Sequence, residues 1–116
     1  MKTKDIPKRK KLSDYDHGKF INSSEWRKLS ISHRMLNPFC AVSGDPAECV
    51  DHIIAVVHGG AKLDPRNLQS MTRESHIYKT IAESEGAIYE TIQNDDGDLI
   101  PYRDHNGDLV IIGKIK

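Results

Sequence analysis

The sequence has few cysteines, no long apolar run and no net charge. Cys40 and Cys49 are the only cysteines among 116 residues, too few and too close together for the disulfide framework of a small secreted protein. We therefore expect two reduced thiols that serve mainly as packing residues. No apolar run approaches membrane-spanning length, and residues 1–11 lack the apolar segment of a secretory signal. The expectation is a cytoplasmic protein without a membrane partner.

The zero net charge conceals an uneven distribution along the chain. Residues 1–35 hold ten Lys and Arg against four Asp and Glu, whereas residues 36–116 hold seven against thirteen. Residues 1–18 are basic and poor in apolar side chains, which predicts a flexible arm suited to phosphate backbones, although a solvated tail has the same composition. The arm residues expected to contact nucleic acid are Lys8, Arg9, Lys10 and Lys11.

The length and the 37% hydrophobic content fit one compact domain over residues 19–116. A helix is predicted over residues 22–36, because Asn22 and Glu25 resemble a capping box and an apolar face recurs at helical spacing. The Asn37-Pro38 pair ends this helix. Its polar face carries Arg27, Lys28 and Arg34.

A strand, a loop and a second strand are predicted next. The β-branched run from Cys49 to Val57 is typical of a strand, with the polar pair Asp51 and His52 set into it. His58-Gly59-Gly60 breaks this run. Residues 67–71 fit a second strand, so that the two strands enclose a loop.

A second helix and further strands complete the predicted α+β fold. Thr72 is a plausible cap for a helix from about Arg73 to Glu85. Residues 87–116 alternate apolar and polar side chains around turns at 96–99 and 106–109, which predicts a meander of about three short strands.

The polar residues of the first strand could carry phosphodiester hydrolysis, which needs a cation and a base that activates water. Asp51 and His52 are adjacent, so an extended strand would point them to opposite faces, and only a strong twist or a bulge would bring both into one cleft. His76, in the first turn of the second predicted helix, could reach a metal ion bound by Asp51. A carboxylate, an imidazole and waters suit magnesium, manganese or zinc. A neutral His52 could then accept a proton from water.

These segments together resemble the HNH endonuclease family, particularly its small versions in phage genomes. The resemblance covers about residues 20–82. It rests on the following segments: Val50-Asp51-His52-Ile53-Ile54, Gly59-Gly60, Asp64-Pro65-x-Asn67-Leu68-Gln69-Ser70 and His76-x-x-Lys79-Thr80, with Trp26-Arg27-x-Leu29 and Asn37-Pro38-Phe39-Cys40 upstream.

The resemblance implies a ββα-metal core over about residues 49–85, in which two short antiparallel strands and a helix clasp one divalent ion. It implies that His52 is the general base, that Asp51 and His76 bind the metal, and that Asn67 holds the loop so that His52 is aimed correctly. The cofactor would be one Mg, Mn, Ni or Zn ion. Lys79 would face the phosphate backbone, unless it is simply a solvated helix lysine, and the further candidate DNA contacts are Arg73, Arg27 and Lys28.

One departure from the family concerns a structural zinc. Small HNH proteins commonly hold it with two Cys-x-x-Cys pairs, but here the pairs read Cys40-x-x-Ser43 and Thr72-x-x-Ser75. Hydroxyl groups are poor zinc ligands at neutral pH, so we predict no structural zinc.

The leading hypothesis is a metal-dependent DNA endonuclease that cuts or nicks by one-metal hydrolysis. A homodimer is possible, because one small active site favours nicking unless two chains pair. The alternative is a nucleic-acid-binding or accessory protein on an HNH scaffold that has lost catalysis and acts with a partner such as a phage packaging or terminase complex. A nuclease toxin would need a delivery domain, for which the sequence gives no sign.

Overall fold

The structure is a computed structural model that describes residues 15–114. Most of the predicted basic arm, including Lys8, Arg9, Lys10 and Lys11, therefore lies outside the described residues. Residues His17–Ile21, which include the last two positions of the predicted arm, form a short helix, α1. Asp16 caps it by accepting a hydrogen bond from the backbone N–H of Lys19.

The second helix, α2, spans Ser24–Leu36 and agrees closely with the predicted helix. Its cap is Ser23, whose hydroxyl accepts a hydrogen bond from the Trp26 N–H at 3.2 Å. Asn22, which we expected to cap α2, instead ends α1 by donating its backbone and side-chain N–H groups to the Gly18 carbonyl. Asn22 thus ends α1, and the adjacent Ser23 starts α2.

Two short antiparallel strands and a third helix follow in chain order. Strand β1 spans Cys49–His52 and pairs with β2, Leu68–Met71, in an uninterrupted register. Helix α3, Arg73–Ser84, starts directly after β2 with Thr72 as its cap, as predicted. This order places the side chains of β1 and the first turns of α3 side by side.

Strand β1 ends five residues before the predicted boundary at Val57. Ile53 and Ile54 are buried but leave the ladder with β2 and enter the loop. The Asn67 side chain takes the place of a strand partner: its Oδ1 accepts from the Ile54 N–H at 2.9 Å, and its Nδ2 donates to the carbonyls of Ile54 and Ala61 at 3.0 and 2.8 Å. Because an amide side chain satisfies these groups, the apolar run does not continue as a strand.

The same loop requires glycine at position 60. A Cβ atom built on Gly60 would lie 1.9 Å from the Ile54 carbonyl oxygen and 2.9 Å from Asn67 Nδ2. No side chain fits into that space, so the close backbone approach depends on the glycine.

The C-terminal segment forms two separate two-stranded sheets, which corrects the predicted three-stranded meander. The first pairs β3, Ala87–Tyr89, with β6, Ile111–Lys114, and the second pairs β4, Thr91–Gln93, with β5, Leu99–Pro101. The predicted turn near Asp96 does join β4 to β5, but β6 returns to β3 because the chain crosses back after the second turn.

Strand β5 also braces the loop between β1 and β2. The Leu99 N–H donates to the Gly59 carbonyl, and the Ala61 N–H donates to the Leu99 carbonyl. Leu99 and Ile100 are buried together with Ile53 and Met71. In the part of the chain that the structure describes, no helix has the length and apolar character needed to cross a membrane.

The three hydrogen bonds of Asn67 generate a prediction about stability. Asn67→Ala should lower the free energy of unfolding by about 3–5 kcal/mol, because it leaves one N–H and two carbonyls without partners in the interior. Urea unfolding followed by circular dichroism measures this change. As a control, Asn106→Ala removes an exposed amide that makes no side-chain hydrogen bond within residues 15–114 and should cost less than about 0.5 kcal/mol. Equal losses in the two variants would contradict the role of Asn67.

Candidate functional site

Asp51 and His76 converge where β1 faces the first turn of α3. The Asp51 Oδ1 atom lies 3.4 Å from His76 Nε2, with the Asp51 side chain 15% exposed and the His76 side chain 46% exposed. Two ligand atoms at about 2.1 Å from one ion are roughly 3.0–3.4 Å apart, so this pair can bind a common metal. Within residues 15–114, no group of three or more His, Cys, Asp or Glu side chains forms a complete metal site. Metal binding by Asp51 and His76 stays a prediction.

Lys79 lies inside this site rather than on the surface. Its ammonium lies 2.9 Å from Asp51 Oδ2 and 3.0 Å from Glu83 Oε2, and it donates to the His52 carbonyl at 3.0 Å. The side chain is 7% exposed. Burial by itself lowers the pKa of Lys79, but the carboxylates of Asp51 and Glu83 raise it above its ordinary value, so the group is charged. This placement differs from the exposed position, facing the phosphate backbone, that we expected.

The His52 imidazole lies on the opposite face of β1. It stacks on Trp26, with ring centroids 4.6 Å apart, and also contacts Phe20. The Nε2 atom is 2.8 Å from the Lys62 carbonyl oxygen, which can only accept a hydrogen bond. The ring proton is therefore held on Nε2, and Nδ1, which has no partner among residues 15–114, is left as the proton acceptor.

The environment of His52 also favours the neutral ring. Burial lowers the pKa of His52 below its ordinary value, and this effect outweighs the opposing hydrogen bond to Lys62 and the charge of Asp51. The residue is 6% exposed. His52 is thus a neutral imidazole of fixed orientation whose ring is largely covered by protein, and its role as a general base stays a prediction.

Strand β1 carries no bulge at Asp51 or His52, so the two side chains are not brought into one cleft in that way. The register of β1 with β2 is regular through both residues, so their side chains point to opposite faces. The two faces are linked through Lys79, whose ammonium binds the Asp51 carboxylate and the His52 backbone carbonyl.

Three predicted DNA contacts in the described part of the chain are exposed. Arg27 and Lys28 lie on α2, and Arg73 begins α3 with a side chain that is 80% exposed and only loosely paired with Glu48 at 3.9 Å. The geometry leaves these cations accessible to a phosphate backbone, and their role stays a prediction.

Two parts of the site were not predicted from the sequence. Glu83 follows Lys79 by one helical turn, so the spacing of 76, 79 and 83 on one face of α3 could have indicated it. The aromatic group that covers His52 begins within the supposed arm, where Tyr15 contacts Phe20. The aromatic side chains at 15, 20 and 26 indicate packing against the domain, but the basic composition of residues 1–18 favoured a flexible arm instead.

A second cluster is formed by the four positions at which the resemblance would place zinc-binding cysteines. The Ser43 N–H donates to Cys40 Sγ at 3.4 Å, and the Thr72 hydroxyl donates to it at 3.9 Å. Burial raises the pKa of the Cys40 thiol, but hydrogen bonds from Ser43, Ser75 and Thr72 outweigh it and lower the pKa to about 6. The four positions converge on a sulfur atom bound by hydrogen bonds, and the absence of a structural zinc stays a prediction.

The Cys40 cluster predicts an unusual thiol titration. The absorbance at 240 nm should show one thiolate forming near pH 6 and a second, from Cys49, forming above the ordinary range because burial raises its pKa. Cys40→Ala should remove the first step, whereas Cys49→Ala should keep it. Because the pKa of Cys40 is lower in the folded state, its ionisation stabilises the fold most above the unfolded pKa, and that contribution fades as the pH falls towards 6. A Cys40 step above pH 8 would contradict the hydrogen-bonded thiolate.

Comparisons with known proteins bear on this geometry. Models of protein families and curated protein sequences gave no match. Among solved structures, the chain is similar to the HNH endonuclease of the deep-sea thermophilic bacteriophage GVE2, crystallised with a manganese ion. The likeness has a TM-score of 0.53 and 28% sequence identity over 58% of this chain and 80% of that one. The mixed helices and small antiparallel strands are therefore consistent with an HNH-like α+β fold, and the similarity suggests a nuclease.

Proposed function

We propose that this protein is an HNH-type DNA endonuclease that hydrolyses phosphodiester bonds with one divalent metal ion. The observation that carries the proposal is the 3.4 Å approach of Asp51 to His76 at the junction of β1 and α3. It is supported by the similarity to an endonuclease crystallised with manganese. The ββα-metal core, the DNA substrate and the catalytic roles are all parts of this proposal.

Asp51 and His76 would hold the metal ion, and water or phosphate oxygens would complete its coordination. When bound, a divalent ion stabilises negative charge on the phosphate and on the leaving oxygen. Magnesium, manganese, nickel and zinc all accept a carboxylate and an imidazole, although a mixed ligand pair suits manganese or zinc better than magnesium. The half-exposed His76 leaves the centre open to a substrate.

His52 would act as the general base through Nδ1. Its neutral state and its fixed tautomer leave a lone pair free to accept a proton from water while Nε2 stays bonded to Lys62. In an in-line displacement the attacking and leaving oxygens lie on opposite sides of phosphorus. Because the regular strand points His52 and Asp51 to opposite faces, the phosphate would have to lie at the end of β1, where both groups could reach it.

The remaining predicted residues would position these groups and the substrate. Asn67 is an orienting residue, because its amide is fully used in fixing the loop that follows His52. The exposed cations Arg27, Lys28 and Arg73 would bind phosphates without reading sequence.

A second candidate function is a nucleic-acid-binding or accessory protein that acts with a partner such as a phage packaging complex. The covering of His52 by Trp26 and Phe20 favours it, since water reaches a base that is 6% exposed only with difficulty. Lack of cleavage together with retained DNA binding would favour this function over the first.

Cleavage of supercoiled plasmid tests the enzymatic proposal. The full chain should nick DNA with magnesium, manganese, nickel or zinc, and His52→Ala should lower the rate by about 10²-fold or more, the usual contribution of a general base. His76→Ala should weaken metal binding and therefore raise the metal concentration needed for half-maximal cleavage.

His105→Ala is the matched control, because His105 lies in an exposed turn far along the chain from the site. It should cut like the parent protein. If no metal supports cleavage, or if His52→Ala and His105→Ala are equally active, the proposal is wrong. Circular dichroism of each variant separates a lost base from a lost fold.

A further inference from the structure

The ammonium of Lys79 is surrounded like a bound cation. Its three neighbours are Asp51 Oδ2 at 2.9 Å, Glu83 Oε2 at 3.0 Å and the His52 carbonyl oxygen at 3.0 Å. All three are oxygen atoms of the kind that hard divalent ions prefer. The Glu83 side chain is 15% exposed and the Lys79 side chain 7% exposed, so the set is largely enclosed by protein.

We propose that Lys79 acts as a permanent internal cation that fills a second cation site beside the metal centre and so limits that centre to one ion. The inference rests on the proposed function in one respect, because it takes Asp51 and His76 as the metal ligands. It adds Lys79 and Glu83 as the residues that determine how many ions the site holds.

The shared carboxylate gives this proposal its physical basis. Asp51 presents Oδ1 towards His76 and Oδ2 towards Lys79. A second divalent ion at Oδ2 would meet the positive charge of the ammonium, and like charges at such short range in a partly buried site repel strongly. The ammonium is also covalently attached to α3, so its effective concentration at this position is high and does not depend on the concentration of ions in solution.

A purely structural ion pair is the alternative explanation. Lys79 and Glu83 are four residues apart on α3, a spacing at which exposed pairs form readily and contribute little. Such a pair does not require burial or contacts beyond the helix. Here the ammonium also binds Asp51 and the His52 carbonyl, both on β1, which places it between the two halves of the site.

The two explanations differ in what happens when the charge is removed. A structural pair predicts a less stable protein with unchanged or weaker metal binding. An internal cation predicts that its removal frees Asp51 Oδ2 and Glu83 for a new ion. The number of bound ions, measured without any DNA, therefore separates them.

Manganese binding to the metal-free full chain tests the proposal. Electron paramagnetic resonance of free Mn²⁺ and isothermal titration calorimetry should give one ion for the parent protein and two for Lys79→Ala. Lys79→Arg keeps the charge and should bind one ion. The double variant Lys79→Ala/Glu83→Gln should return to one, because the added site has lost its second carboxylate.

Lys19→Ala is the matched control, since Lys19 is an exposed lysine of α1 that contacts none of these residues. It should bind one ion. A Lys79→Ala protein that folds and binds the same number of ions as the parent, with unchanged affinity, overturns the inference. If the parent binds no Mn²⁺, the proposed function fails, and a gain of one ion in Lys79→Ala would still support the inference while no gain would overturn it.

A measurement on the parent protein covers the case in which Lys79→Ala does not fold. The ¹⁵N signal of the Lys79 ammonium, assigned by its loss in Lys79→Arg, should persist with protection from solvent exchange when diamagnetic Mg²⁺ or Zn²⁺ saturates the site. Loss of that protection on metal binding would show that the ion displaces the ammonium, which contradicts the proposal.

Discussion

The buried amide of Asn67 is the constraint on which the rest of the site depends. Its three hydrogen bonds take up the backbone groups of Ile54 and the carbonyl of Ala61. If β1 had continued, a neighbouring strand would have formed the hydrogen bonds of these backbone groups. The Asn67 side chain forms them instead, so no neighbouring strand is needed here. Strand β1 therefore ends at His52, and the chain turns away at the point where the side chains of Asp51 and His52 leave the strand on opposite sides.

The Asp51 carboxylate is shared between two side chains of α3. Asp51 is the hub, because one oxygen faces His76 and the other faces the Lys79 ammonium. The same ammonium donates a hydrogen bond to the backbone carbonyl of His52, whose side chain lies on the other face of β1. Lys79 therefore connects the two faces of the strand. A change of charge at Asp51 or Glu83 would therefore alter the electrostatic potential on both faces of β1.

Local signals in the sequence predicted the order of strand, loop, strand and helix, and the cap at Thr72 was recognisable because its hydroxyl acts within one turn. The proximity of Asp51 to His76 was also within reach, since the strand of Asp51 pairs with the strand that leads directly into the helix of His76. What could not be predicted depended on partners far along the chain. The end of β1 is decided by an amide thirteen residues away, and the burial of Lys79 is decided by β1 rather than by its own helix.

The bridge between the loop and β5 has a consequence for how the site comes into being. Gly59 and Ala61 bond to Leu99, about forty residues later in the sequence. Contacts of such long range form slowly, because the intervening chain must first be ordered. These two hydrogen bonds can form only after Leu99 has been synthesised. A chain cut before the C-terminal strands would keep the Asn67 bonds but would lack this second support of the loop.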